Sequence, residues 1–120
     1  MNHWMKIRHQ FFEKVTRGEK CLEVRLYDAK RRQFNQGDII TFTDEISGLS
    51  HDVTIKDLYI YPDFQSLFRR FAPEEFGFPA GTPIDEMISY MHTIYQPWDE
   101  IRFGVVAIRL CSEISEDMSL

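Results

Sequence analysis

Long apolar runs are missing from this chain: no stretch approaches the ~20 residues that a membrane-spanning helix needs. The first ten residues, MNHWMKIRHQ, lack the apolar core of a secretory signal, so a cytoplasmic location is expected. Cysteine is scarce. Cys21 and Cys111 lie far apart and fit no metal-ligand spacing, and in a cytoplasmic protein they read as two reduced thiols. The four histidines, His3, His9, His51 and His92, show no ligand spacing either, and those that fall on helices are read as having no partner at i+4. No P-loop, GxGxxG or GxSxG elbow occurs, and no cysteine-histidine pairing, so no cofactor is expected. Any hydrolytic chemistry would fall to lysine and carboxylate groups.

What is present suits one folded domain. The chain has 120 residues, of which 43% are hydrophobic, 14% aromatic and 28% charged, enough for one core and not for two. The expected organisation is a single domain over 1–112 followed by an acidic tail, 113–120. The net charge of -5 conceals an asymmetry. Residues 1–34 carry nine Lys/Arg against four Asp/Glu, a local net of +5, and the remainder is correspondingly acidic. Such a split suits an anion-binding face on a protein that otherwise repels polyanions, or two halves that pair with each other in the fold.

The periodicities predict short elements of both kinds. WMKI reads as a first strand and His9 to Arg17 as a short helix capped by Gly18. Residues 20–26 read as a strand with Leu22, Val24 and Leu26 on one face, and with Glu23 and Arg25 on the other beside Cys21 and Tyr27. DIITFTD is a strand leading through a hairpin at Gly48 to HDVTIKDLYIYPD. There the apolar phase slips from Val53 and Ile55 to Leu58 and Ile60, which predicts a bulge near Lys56–Asp57. Phe64, Leu67, Phe68 and Phe71 mark a short amphipathic helix, and residues 72–83 an irregular loop. Thr82 is predicted to cap a further helix whose apolar face runs from Ile84 through Met91 to Tyr95, with Pro97 closing it. FGVVAIRL supplies the last strand. The fold class is therefore α+β, a small curved sheet or open barrel flanked by helices.

Chemistry concentrates on one strand. Lys20, Glu23 and Arg25 would place a carboxylate among cations, keeping it ionised. Such a carboxylate accepts from a base amino group, while the cations meet phosphate or carboxylate. The same residues equally describe a solvated strand face with an ion pair contributing about 0.5 kcal/mol. Lys30, Arg31 and Arg32 read as a phosphate clamp or a solvated loop, and Tyr27, Tyr59, Tyr61, Tyr95 and Trp98 as stacking platforms or core.

The stretch GEKCLEVRLYDAKRRQFNQGDIITF resembles the ASCH (activating signal cointegrator homology) family of the PUA-like superfamily. That pattern runs G-x-K-x-x-E-x-R-L, then D-x-K-R-R and a later G-D. It is met by Gly18, Lys20, Glu23, Arg25, Leu26, Asp28, Lys30, Arg31, Arg32, Gly37 and Asp38. The resemblance implies a PUA-like open β-barrel of about five to six strands with flanking helices. It implies a cleft along the Lys-Glu-Arg strand and a partner that is single-stranded RNA, a nucleotide or a nucleoside. On that reading Lys20, Glu23, Arg25, Tyr27, Lys30, Arg31 and Arg32 bind the ligand, and residues 72–83 form a lid. The family also contains ribonucleases, and enzymes that hydrolyse N4-acetylcytidine with a lysine, a threonine and a glutamate. Lys20 matches that lysine, Glu23 stands at the threonine position, and Glu74 or Glu75 lies in the region of the glutamate. As an enzyme the chain would therefore use Lys20 and Glu23, with Glu75 as a further candidate.

Overall fold

The computed structural model describes residues 1–111; the acidic tail assigned to 113–120 lies outside the described residues. The chain runs β1 (Asn2–Ile7), α1 (His9–Thr16), β2 (Leu22–Leu26), β3 (Ile39–Asp44), β4 (Ser50–Thr54), β5 (Asp57–Tyr61), α2 (Phe64–Phe68), α3 (Ile84–His92), α4 (Pro97–Phe103) and β6 (Val105–Arg109). Single 3-10 turns stand at Arg31–Gln33 and Pro73–Phe76. The α+β class holds. The six described strands form two three-stranded sheets rather than one closed ladder, in the orders β1-β3-β4 and β2-β6-β5.

β1 and β3 run parallel, which requires the chain to leave the sheet and return, and α1 and β2 occupy that crossover. The remaining pairs are antiparallel. The break in apolar phase after Ile55 has a larger cause than a bulge. At Ile55 and Lys56 the chain passes from one sheet to the other, with Ile55 N–H donating to Asp38 O at 2.7 Å and Lys56 N–H to Arg109 O at 2.8 Å. Beyond it Tyr59 and Tyr61 pack toward one core and Leu58 toward the other, while Ile60 is 54% exposed.

β6 is buried on both faces, as its unbroken apolar run demands. Val106 and Ile108 meet Met5, Ile40, Phe42 and the α1 residues Phe11, Phe12 and Val15. Val105 and Ala107 meet Leu22, Val24, Leu26, the phenylalanines of α2, and Met87 and Met91 of α3. The second sheet is thus a middle layer. The register pairs Glu23 with Ile108 and Arg25 with Val106, so these two charged side chains share the face of β2 that looks toward the first sheet.

Three helix boundaries differ from expectation. Pro83, not Thr82, is the N-cap of α3; the Thr82 hydroxyl donates instead to Pro79 O at 2.7 Å. α3 ends at His92, before Tyr95, and Pro97 opens α4 from its first position rather than closing α3. Glu100 then ties the helices together, accepting from Phe64 N–H at 2.8 Å and pairing with His92 at 2.7 Å.

The cysteines are also not two free thiols. Cys21 and Cys111 form a disulfide, with Cα atoms 4.9 Å apart. The pairing of β2 with β6 brings them together, since Leu110 N–H donates to Cys21 O at 2.8 Å just beyond the ladder. Sequence separation hid that proximity.

Candidate nucleic-acid site

A cavity of about 190 Å³ opens between the two sheets. Its floor is Lys20, Glu23 and Arg25 from β2 and the residues before it; one wall is Lys6, Ile7 and Arg8 with Glu45. Aromatic rings complete it: Phe11 of α1, Phe76 and Phe78, Tyr90 of α3, and Tyr95. Four cations face two carboxylates among the lining residues.

The floor is an ordered ion cluster. Glu23 is 6% exposed and Lys20 4%. Glu23 Oε1 accepts from Val24 N–H at 3.1 Å and lies 3.3 Å from Lys20 Nζ; Oε2 accepts from Arg25 Nε at 3.3 Å and Nη2 at 2.9 Å. A carboxylate offers about four lone-pair directions, and here each has a donor. Burial disfavours the charged carboxylate, but Lys20 and Arg25 outweigh it and hold Glu23 down at about 2. Burial pushes the Lys20 ammonium below its ordinary value, against the pull of Glu23. For Arg25, burial also opposes the charge, and Glu23 more than compensates.

The cations keep donors in reserve. Lys20 Nζ donates to Phe76 O at 2.6 Å and stands 4.7 Å from the centre of the Phe11 ring. Arg25 Nη2 also donates to Lys6 O at 2.9 Å. The Nη1 end of this fork is not committed to Glu23 or to Lys6. Arg8, exposed at the mouth, has its guanidinium carbon 5.2 Å from the centre of the Tyr90 ring.

Residues 72–83 build a wall. Phe76 is fully buried, and Cys21 N–H donates to Glu75 O at 2.8 Å, joining this segment to the start of β2. Lys14 Nζ donates to Gly77 O at 2.6 Å beside it.

The structure gathers Lys20, Glu23 and Arg25, with Tyr95 among the aromatic walls, but not the other expected residues. Glu75 does not line the cavity; its carboxylate accepts from Ala72 N–H at 3.1 Å and faces Arg109 Nη2 at 3.7 Å. Lys30 Nζ donates to Trp4 O at 2.7 Å, Arg31 pairs with Asp28 at 2.9 Å, and Arg32 donates to Phe103 O at 3.1 Å while covering Tyr27 at 4.3 Å. These three cations pin their loop to β1 and to the end of α4. Conversely, Lys6, Arg8, Glu45, Phe78 and Tyr90 were not singled out from sequence. Tyr90 follows Met87 by three residues, on the flank of the apolar stripe of α3, which is the signal that could have found it.

Histidine also behaves differently from expectation. His9 does have a partner at i+4, Glu13 at 3.2 Å, and its Nδ1 lies 2.7 Å from Asp44. Among the described residues, no group of three or more His, Cys, Asp or Glu is placed to hold a metal ion, and no helix is long and apolar enough to cross a membrane.

No curated protein matches the chain. Two solved structures resemble it over nearly their whole length. The crystal structure of the hypothetical protein PH0355 is 33% identical with a TM-score of 0.80, the match covering 91% of this chain and 96% of that one. The solution NMR structure of protein PF0455 from Pyrococcus furiosus is 32% identical with a TM-score of 0.69, covering 91% and 94%. The profile of the ASCH domain matches residues 5–113, which include the whole cavity and the strand that floors it. The chain belongs to the ASCH domain family.

Proposed function

We propose that this ASCH domain binds single-stranded RNA, or a nucleotide or nucleoside of the same kind, by taking one base into the cavity. The observation that carries this reading is the ionised cluster Lys20–Glu23–Arg25 lying beneath a ring of aromatic side chains. Sites for drug-sized ligands run to about 300–1,000 Å³, so a cavity of about 190 Å³ suits one planar ring rather than a dinucleotide. The aromatic walls offer faces to a base of any sequence. Lys20 and Arg25 donate to a base carbonyl or to phosphate; Glu23 serves by holding both cations in place, its own lone pairs being occupied. Lys6 and Arg8 at the mouth meet the backbone phosphates. Family membership supports the reading, since ASCH domains are associated with RNA binding. In the same reading the two sheets are the halves of an open PUA-like barrel.

The test is a fluorescence-anisotropy titration of short single-stranded RNAs at two salt concentrations. Wild type is compared with Lys20→Ala and Arg25→Ala, and with Arg8→Ala, which removes an exposed side chain at the mouth. Binding should fall in all three, and losing Arg8 should reduce the salt slope by about 0.7 if it meets one phosphate. Affinity unchanged in Arg25→Ala and Arg8→Ala would overturn the site.

A second reading is hydrolysis of a modified nucleoside such as N4-acetylcytidine, or cleavage of RNA. The observation favouring it is the lowered Lys20 ammonium, which gives up a proton more readily than a solvated lysine. Among the described residues no serine or threonine lines the cavity, so attack would come from water rather than from a serine or threonine hydroxyl. Pure protein yielding no product from acetylated cytidine or from RNA would retire it.

A further inference from the structure

Among the described residues, Glu45 is the cavity-lining carboxylate that no donor claims. It follows directly on β3, is exposed, and has no ion-pair or hydrogen-bond partner for its side chain among the described residues. Its position is nonetheless fixed. Its backbone N–H donates to Ile7 O at 3.1 Å, on the cavity wall. The preceding Asp44 is 2% exposed and anchors the turn by accepting from Ile46 N–H at 3.1 Å and Ser47 Oγ at 2.7 Å, beside His9. Glu45 and Tyr90 line the same cavity, with Arg8 over the Tyr90 ring at its mouth.

This arrangement divides the polar chemistry of the cavity in two. The floor presents donors, Lys20 and Arg25, because Glu23 is saturated. The rim carries the free acceptor. A nucleoside with its base directed at the floor leaves its sugar at the rim, where the groups able to donate are the ribose hydroxyls. We propose that Glu45 accepts a hydrogen bond from the ribose 2′-hydroxyl of the bound nucleotide and so makes this site selective for RNA over DNA. The inference rests on the reading of the cavity as a nucleotide site and adds the sugar specificity. A carboxylate accepting from a 2′-hydroxyl is a general device for recognising ribose, and the 2′-hydroxyl is the group by which a protein tells the two nucleic acids apart.

The experiment compares one short single-stranded oligonucleotide in its RNA and all-2′-deoxy forms, bound to wild type, Glu45→Ala and Glu45→Gln. Wild type should prefer the RNA by about tenfold, the worth of one hydrogen bond to a charged acceptor. Glu45→Ala should bring the ratio close to one, because it loses affinity for RNA relative to DNA. The amide oxygen of Glu45→Gln should restore part of the preference. Removing a negative charge strengthens binding of either polyanion, so the ratio and not the absolute affinity is the readout. Equal binding of RNA and DNA by wild type, or a preference that survives in Glu45→Ala, overturns the role of Glu45 while leaving the nucleotide site standing. Failure of wild type to bind either form overturns the nucleotide reading and the inference together.

Discussion

A Cβ placed on Gly77 would come to 3.0 Å from Phe11 Cδ1 and 3.3 Å from Lys20 Cδ. Gly77 also has φ of 91°, in the left-handed region that side chains disfavour. The absence of a side chain there lets the wall segment close over Phe11 and the stem of Lys20, and brings Phe76 O to the ammonium. Gly77→Ala is expected to destabilise the fold by about 1–2 kcal/mol from the backbone conformation alone, and to weaken ligand binding by displacing Lys20. Urea denaturation beside an RNA titration checks both. A stable variant with unaltered binding would show that the contact with Phe11 relaxes freely.

Glu23 predicts an acid limb in stability. Its folded value, about 2, lies below the ordinary 4.5, so its contribution is complete above about 4.5 and is lost as pH falls toward 2. Glu23→Gln removes that dependence and leaves Lys20 and Arg25 buried without their counter-charge, at a cost of about 3 kcal/mol at neutral pH. Denaturation of both proteins across this range measures it. Equal stability at pH 7 would contradict the ion cluster.

His9 and Asp44 supply a second dependence, with limbs on both sides. The hydrogen bond it donates to Asp44 raises the His9 imidazole above its ordinary 6.5, and Asp44 is held at about 2, His9 and Ser47 outweighing burial. The His9 contribution is complete below about 6.5 and is lost as pH rises through the raised value; that of Asp44 is complete above 3.8 and is lost as pH falls toward 2. Titration of the His9 ring by NMR should show a raised midpoint in wild type that returns toward 6.5 in Asp44→Asn. An unmoved midpoint would place the Asp44 carboxylate elsewhere.

The disulfide joins residues 90 apart in sequence, so it removes a large loop from the unfolded ensemble. Reduction, or Cys111→Ser, is expected to lower stability by up to about 4 kcal/mol. Thermal unfolding with and without a dithiol reductant measures this. Identical midpoints would mean the cross-link contributes nothing.

Local periodicity made much of this molecule legible. The alternation put Leu22, Val24 and Leu26 on one face of β2 and Glu23 and Arg25 on the other, and the first three pack in the second core, Val24 reaching the cavity as well. What escaped is non-local. Arg8, Glu45 and Tyr90 reach the cavity from three elements whose meeting depends on the parallel pairing of β1 with β3 and on the docking of α3. Lys30 and Arg32 looked like free cations because the acceptors that hold them, Trp4 O and Phe103 O, are distant in sequence and carry no sequence signal, being backbone carbonyls, whereas Arg31 is held by the nearby Asp28. Pro97 was misread for a different reason. A proline marks either end of a helix, and the following Asp99 and Glu100 in the first turn were the signal for a start.

The passage of the chain between sheets at Ile55 and Lys56 bears on ligand size. Ile7 and Glu45 stand on or beside the first sheet and Glu23 and Arg25 on the second, so the two walls of the cavity are like the covers of a book whose spine is this crossing. Ile55, fully buried at the crossing, packs in the same core as Ile7 and Phe11, which line the cavity. A change of bulk at Ile55 would therefore reach the cavity through Ile7 and Phe11 while every other lining residue stayed the same.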